Sequence, residues 1–188
     1  MAEDPAPLRT NEGVDEEAQA RRRLALAQIR QYPDPVLRMQ AREVSEFDDD
    51  LRRLAGRMTA LMRDAQGVGL AANQVGVLRR IFVYQPRDEE EACVLVNPRI
   101  VERSGASTDD EGCLSIQGVV LPVERALELT IEGQDEHGKD VRYELTDVAA
   151  RVVQHELDHL DGVLILDRTS GEARKEALAT LRPRTILT

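Results

Sequence analysis

Between Asp48 and Gly67 the apolar residues Leu51, Leu54, Met58, Leu61 and Met62 recur at helical spacing, while Arg52, Arg53 and Arg57 take the other face. Asp48, Asp49 and Asp50 supply an N-cap and first-turn acids, and Gly67 fits the stop. The two methionines read as core filler. Further on the pattern changes to strands: RRIFVYQ (79–85), ACVLVNPRI (92–100, closed by Asn97-Pro98), VVLPVE, ALELTIEGQ and KDVRYELT. Residues 86–91 form an acidic turn, and 134–139, with Asp135 and Gly138, predict a hairpin loop. From Thr146 to about Asp161 the period is helical again, VLILD (163–167) reads as a short strand, and Ser170 caps a last helix to about Leu181. Near the start, LALAQI after Arg21–Arg23 reads as a first strand, and Tyr32-Pro33-Asp34-Pro35 interrupts the chain. No internal repeat is present. Strands with a few segregated helices predict an α+β fold, not a doubly wound sheet.

Composition narrows the classes. The 188 residues fit one domain, and 41% hydrophobic with 3% aromatic content means an aliphatic core. The net charge of −10 argues against nucleic acid or anionic lipid as partner. No run reaches a membrane span, and the polar N-terminus does not read as a secretory signal. Two cysteines do not make a disulfide scaffold, so a reducing cytoplasm is expected. The first twenty residues carry half of the net charge, with six acids against Arg9. They are read as a disordered acidic tail, placed at 1–24, ahead of one catalytic domain at 25–188.

The chemistry concentrates in His155-Glu156-Leu157-Asp158-His159. Four helical residues advance about 400° and rise about 6 Å, so both imidazoles leave one face and can share a divalent metal. Glu156 is offset from that metal but within reach of its water, as a general base requires. Two incidental histidines would give the same pentapeptide, and the face separates the readings. Val148, Val152, His155 and His159 form one stripe, and Ala149, Val153, Glu156 and Leu160 the next. Both are otherwise apolar, so the polar groups point inward, where an unpaired carboxylate is costly. His137, in the hairpin loop, reads as solvated.

A third ligand is required. The longer motif HExxHxxGxxH has Gly162 in place but Ile165 where a histidine is needed, so it fails. Glu172 or Glu176 on the last helix would serve a gluzincin-like protease. Cys113, in EGCLS at a turn between strands, would complete a Cys-His-His site with an open position for water. Cys93 reads as plain core.

Three segments together resemble peptide deformylase: GVGLAANQ (67–74), EGCLS (111–115) and QHELDH (154–159), in the family's order and spacing, within a similarity running from about Ile29 to Leu181. The resemblance implies an α+β fold with antiparallel sheets around the central HExxH helix, flanked by an N-terminal and a C-terminal helix. It implies Cys113, His155 and His159 as metal ligands, with Fe(II) as the usual metal and zinc, nickel or cobalt as substitutes. Glu156 would be general base and acid. The Gln74 amide and the Leu114 N–H would donate to the oxyanion, Gly69 would contact the substrate backbone, and Val68, Val148 and Val152 would line the methionine pocket. The implied activity removes the N-formyl group from formylmethionine of newly made polypeptides, releasing formate. The implied partners are nascent chains at the ribosome exit, with no membrane or direct nucleic-acid binding, and a monomer is expected.

The chain departs from the family pattern at Asn73, Gln117 and Val120, around the groove, while Arg125 fits a family arginine. A basic C-terminal extension is not evident, and Arg182 and Arg184 read as a solvated end. The altered 117–121 loop keeps a second reading open: a paralogue acting on another formyl amide, or retained for inhibitor resistance. A metal-stabilised structural domain is a third reading, against which Gln74 and Glu156 both speak, and an internal peptidase is a fourth.

Overall fold

A computed structural model describes residues 11–85 and 91–181. Among these residues seven strands and four α-helices follow in the order α1 (Asn11–Leu26), α2 (Asp49–Asp64), β1 (Gly69–Ala71), β2 (Ile81–Tyr84), β3 (Cys93–Ser104), β4 (Ser107–Cys113), β5 (Ile116–Arg125), β6 (Glu128–Gln134), β7 (Asp140–Thr146), α3 (Asp147–Leu160) and α4 (Gly171–Leu181). Five strands form an antiparallel sheet in the order β1-β2-β3-β6-β7, and β4 with β5 forms a separate antiparallel ribbon. This is the expected α+β arrangement.

Alternation along β2 shows how the layers are built. Ile81 and Val83 pack with Met58, Met62 and Leu70 on the α2 side. Phe82 and Tyr84 pack with Ala150, Val153 and Leu160 on the α3 side. Helices cover both faces, so the strand is apolar throughout instead of alternating. A third cluster joins the ribbon to α4 through Ile116, Leu121, Val123, Leu166 and Ala177. The HExxH helix α3 therefore lies between the five-stranded sheet and the ribbon. In α2, Asp48 caps the helix as expected, its side chain accepting from the Leu51 N–H at 2.9 Å.

Several local expectations need correction. LALAQI is not a strand: Leu24–Leu26 end α1, and Ala25, Leu26 and Ile29 enter the core with α2. The helix begins at Asn11, so the coil expected through residue 24 is helical from that point. Its alanines, glutamates and arginines favour a helix once Ala25 and Leu26 anchor one end. Residues 1–10 of the acidic tail, Arg182 and Arg184, and residues 86–90 of the acidic turn lie outside the described residues. VLILD is not a strand either. Ile165–Asp167 make one 3-10 turn, closed by the Asp167 carboxylate accepting from the Leu164 N–H at 2.9 Å.

Asn97-Pro98 bends β3 without ending it. Asn97 takes a φ of 49°, and its side chain bonds both Val44 N–H (2.8 Å) and Val44 C=O (2.9 Å), which holds a bulge between Val96 and Arg99. At the end of α2 the left-handed residue is Gln66 (φ 59°), with Gly67 N–H then closing on Met62 C=O. Residues 117–121 are a bulged strand, not a loop. Cys113 pairs with Ile116 and Gly112 with Val120, which leaves Gln117, Gly118 (φ 76°) and Val119 outside the ladder.

Candidate metal centre and active-site cavity

The ribbon and α3 bring the three proposed ligands together. The Cys113 Sγ lies 3.3 Å from His159 Nε2, which lies 3.2 Å from His155 Nε2. Two nitrogens about 2.1 Å from a tetrahedral metal are about 3.4 Å apart, so this spacing suits one ion. Among the described residues this is the cluster of three potential ligand side chains that can hold a metal. The donor set, one thiolate and two imidazoles, fits a divalent transition metal. Glu172 and Glu176 are exposed on α4 and take no part. Gly162 owes its place to the chain turn: its φ is 73°, and a Cβ there would stand 2.5 Å from the Arg38 carbonyl oxygen.

His155 is held from behind, whereas the buried His159 Nδ1 has no partner among the described groups. The Glu111 carboxylate accepts from His155 Nδ1 at 3.0 Å, which turns the Nε2 lone pair toward the site. The same carboxylate accepts from Arg125 Nε and Nη2 (2.9 and 3.0 Å) and from Arg151 Nη1 (2.8 Å). Arg125 continues to Asp158 at 2.5 Å, and Arg168 grips Asp158 through two bonds of 3.0 and 2.5 Å. Burial would raise the Glu111 pKa, but its bonds to His155 and Arg125 outweigh that and bring it down to about 2. Burial also opposes charge on His155, yet the Cys113 and Glu111 contacts raise its pKa well above the imidazole range. For His159 burial and the neighbouring His155 act together and push it well below.

This arrangement gives a prediction for Glu111→Gln. The substitution keeps the shape and removes the charge that Arg125, Arg151 and His155 share. Metal affinity should fall about 10–100-fold, with a lower melting temperature. Chelator competition and thermal unfolding measure the two effects, and unchanged affinity would show that Glu111 does not position His155.

Glu156 is 3% exposed, and its Oε2 has no hydrogen-bond partner among the described groups. Burial pushes its carboxyl up to about 7, against the partial pull of His155. Gly69 makes room for it: a Cβ there would stand 2.2 Å from Glu156 Oε1. Gln74 is oriented by three contacts. Its Oε1 accepts from Ala71 N–H at 2.8 Å, which aims Nε2 at Ser115 Oγ (3.1 Å) and Cys113 Sγ (3.8 Å). These groups border a cavity of about 1100 Å³, whose lining includes Gly69, Gln74, Cys113, Leu114, His155 and Glu156. Val68 and Val148, both exposed, and the buried Val152 line it too. His137 is exposed on its hairpin, as expected, and Cys93 is half-buried against β3's neighbours.

From sequence, Glu111, Ser115 and Asp158 stand out only as members of motifs, and Arg151 does not stand out. Asp158 offered no signal of burial, since by helical spacing it falls with Asp147, Arg151 and Gln154 on a polar stripe. Glu111 and Arg151 offered none, because their partners are set by packing.

A partly buried Cys-His-His cluster beside an unpaired carboxylate, bordering a cavity, defines a metal-dependent hydrolase. Comparison with known proteins narrows the class. The sequence profile of the family described as Polypeptide deformylase matches residues 26–175. The peptide deformylase of Desulforudis audaxviator is 47% identical over 155 residues, covering 81% of this chain and all (100%) of that protein. That of Thermodesulfovibrio yellowstonii is 41% identical over 155 residues, covering 81% of this chain and 94% of that protein. The crystal structure of peptide deformylase from Thermus thermophilus superposes with a TM-score of 0.77 at 43% identity, covering 81% of this chain and 91% of that one. A Synechococcus elongatus peptide deformylase in complex with actinonin gives 0.77 at 39% identity, covering 81% and 85%. The chain belongs to the peptide deformylase family.

Proposed function

We propose that this chain removes the formyl group from formylmethionine at the N-terminus of newly made polypeptides, with Fe(II) held by Cys113, His155 and His159. The observation that carries the reading is the buried Glu156 carboxylate, unpaired at Oε2 and adjoining the metal cluster. A bound divalent metal supplies Lewis acidity and a water of lowered pKa. Glu156 takes the proton of the attacking water and passes it to the leaving amine nitrogen. The Gln74 amide and the Leu114 N–H donate to the oxyanion that develops on the formyl carbonyl oxygen. Gly69 presents backbone to the peptide, and Val68, Val148 and Val152 receive the methionine side chain. Formate and a free amino terminus result. A formyl carbon carries only hydrogen, so a close-fitting site excludes acetyl groups by size. The enzyme acts as a cytoplasmic monomer on nascent chains near the ribosome exit. Among the described residues no helix is long and apolar enough to cross a membrane.

A second reading, activity on another formyl amide, is favoured by one observation. The bulged Gln117–Val119 segment and the exposed Val120 stand on the cavity rim. The discriminating experiment measures formate released by anaerobically prepared, Fe(II)-loaded protein. The substrates are a formyl-Met peptide, the acetyl-Met peptide and a small formyl amide. Fast release from the formyl-Met peptide alone is expected. Preference for the small amide would support the second reading, and no release from a fully metallated protein would overturn the first.

A further inference from the structure

One wall of the catalytic cavity comes from outside the family region. That region begins at residue 26, whereas α1 begins at Asn11. Arg22, one turn before Leu26 on α1, lines the same cavity as His155 and Glu156. Its Nε donates to the Ala65 carbonyl at 3.3 Å, at the residue that ends α2. This bond fixes where the guanidinium sits. Among the described residues no carboxylate pairs with it.

The substrate's direction follows from the sheet. β1 pairs with β2 on one side, and its other edge is free among the described residues. An extended peptide added to that edge runs past Gly69, Val68 and Gly67, away from Glu156. Before the strand the chain turns at Gln66 (φ 59°), and next to it is Ala65 at the end of α2, where Arg22 is fastened. Ala65 stands four residues before Gly69, past the end of the strand, so Arg22 faces the part of the substrate that follows the methionine by roughly two or three residues. The acids on the cavity lining lie elsewhere. Asp109 is paired with Arg151 at 2.8 Å, Asp110 neighbours it on β4, and Asp147 opens α3 beside Val148. A substrate carboxylate is repelled there and attracted at Arg22.

We infer that Arg22 is a specificity-determining residue that recognises a carboxylate on the second or third residue after the substrate's methionine. The inference rests on the deformylase reading. Arginine suits it, because its planar fork binds carboxylates in a defined geometry.

The test uses C-terminally amidated formyl-Met peptides with glutamate or lysine at the second or the third position after methionine. The readout is kcat/KM with its KM and kcat parts. The intact protein should prefer glutamate by about 2- to 5-fold in at least one series, chiefly through KM. The preference should shrink at about 0.5 M salt. Arg22→Glu should reverse it, and Arg22→Lys should keep its direction. Equal Glu/Lys ratios in the intact protein and Arg22→Glu would overturn the inference. So would a uniform fall on all peptides, which would assign Arg22 to packing of α1. Absence of formate release from every peptide would instead remove the deformylase reading, and the inference with it.

Discussion

Replacing Glu156 with alanine should lower turnover by about 10²–10⁴-fold while leaving the metal in place. The geometry separates the two effects. Glu156 adjoins the cluster in sequence, but the atoms that converge on the metal position are Cys113 Sγ and the two imidazole Nε2 atoms. Removing the carboxylate takes away the proposed proton carrier, not one of the proposed ligands. It also removes a buried carboxylate whose Oε2 lacks a partner, so folding should not suffer greatly. Metal content by elemental analysis and formate release by the same preparation decide the matter. A variant with full metal and a rate near that of the intact protein would rule out Glu156 as the proton carrier.

Cys113→Ala should lose the metal, and activity with it. The substitution leaves two imidazoles on one helix face, where a single turn of α3 carries both. Of the three proposed ligands only the thiolate comes from the ribbon, so its loss would also remove the link from metal to β4. Affinity should drop by more than the about 10–100-fold that a group behind the ligands is worth. Cys93→Ala is the matched control, since Cys93 packs half-buried against the sheet and takes no part in the cluster. After gel filtration the control should keep its metal. Retention of a full equivalent by Cys113→Ala would remove this thiol from the site.

How much of this was legible in the sequence differed by element. The α2 helix was readable because its apolar spacing and its capping aspartate agree, and both act within a few residues. The HExxH helix was readable from its spacing alone, since Thr146 makes no side-chain cap bond, and its apolar stripes correctly placed Glu156 inside. The misreadings cluster where a neighbour decides. LALAQI and VLILD are short apolar runs, and such runs are compatible with strand or helix until packing chooses. Asn97-Pro98 looks like a strand end, yet the Asn97 side chain satisfies Val44 from across the chain and the ladder resumes.

The local order of residues determined the periodicities, the pairing of two imidazoles and a carboxylate on one helix face, and the three motifs that mark the family. These are short-range consequences of helix and strand geometry. Tertiary structure alone decided that the ribbon would bring Cys113 within 3.3 Å of His159. It also decided that Glu111 would meet His155, Arg125 and Arg151 at once, and that α1 would set Arg22 on the wall of the same cavity. Those partners are 14 to 46 residues apart along the chain or lie on separate elements. No local pattern encodes such meetings, because they arise only when burial of the sheet's two faces fixes where the ribbon and the helices can lie.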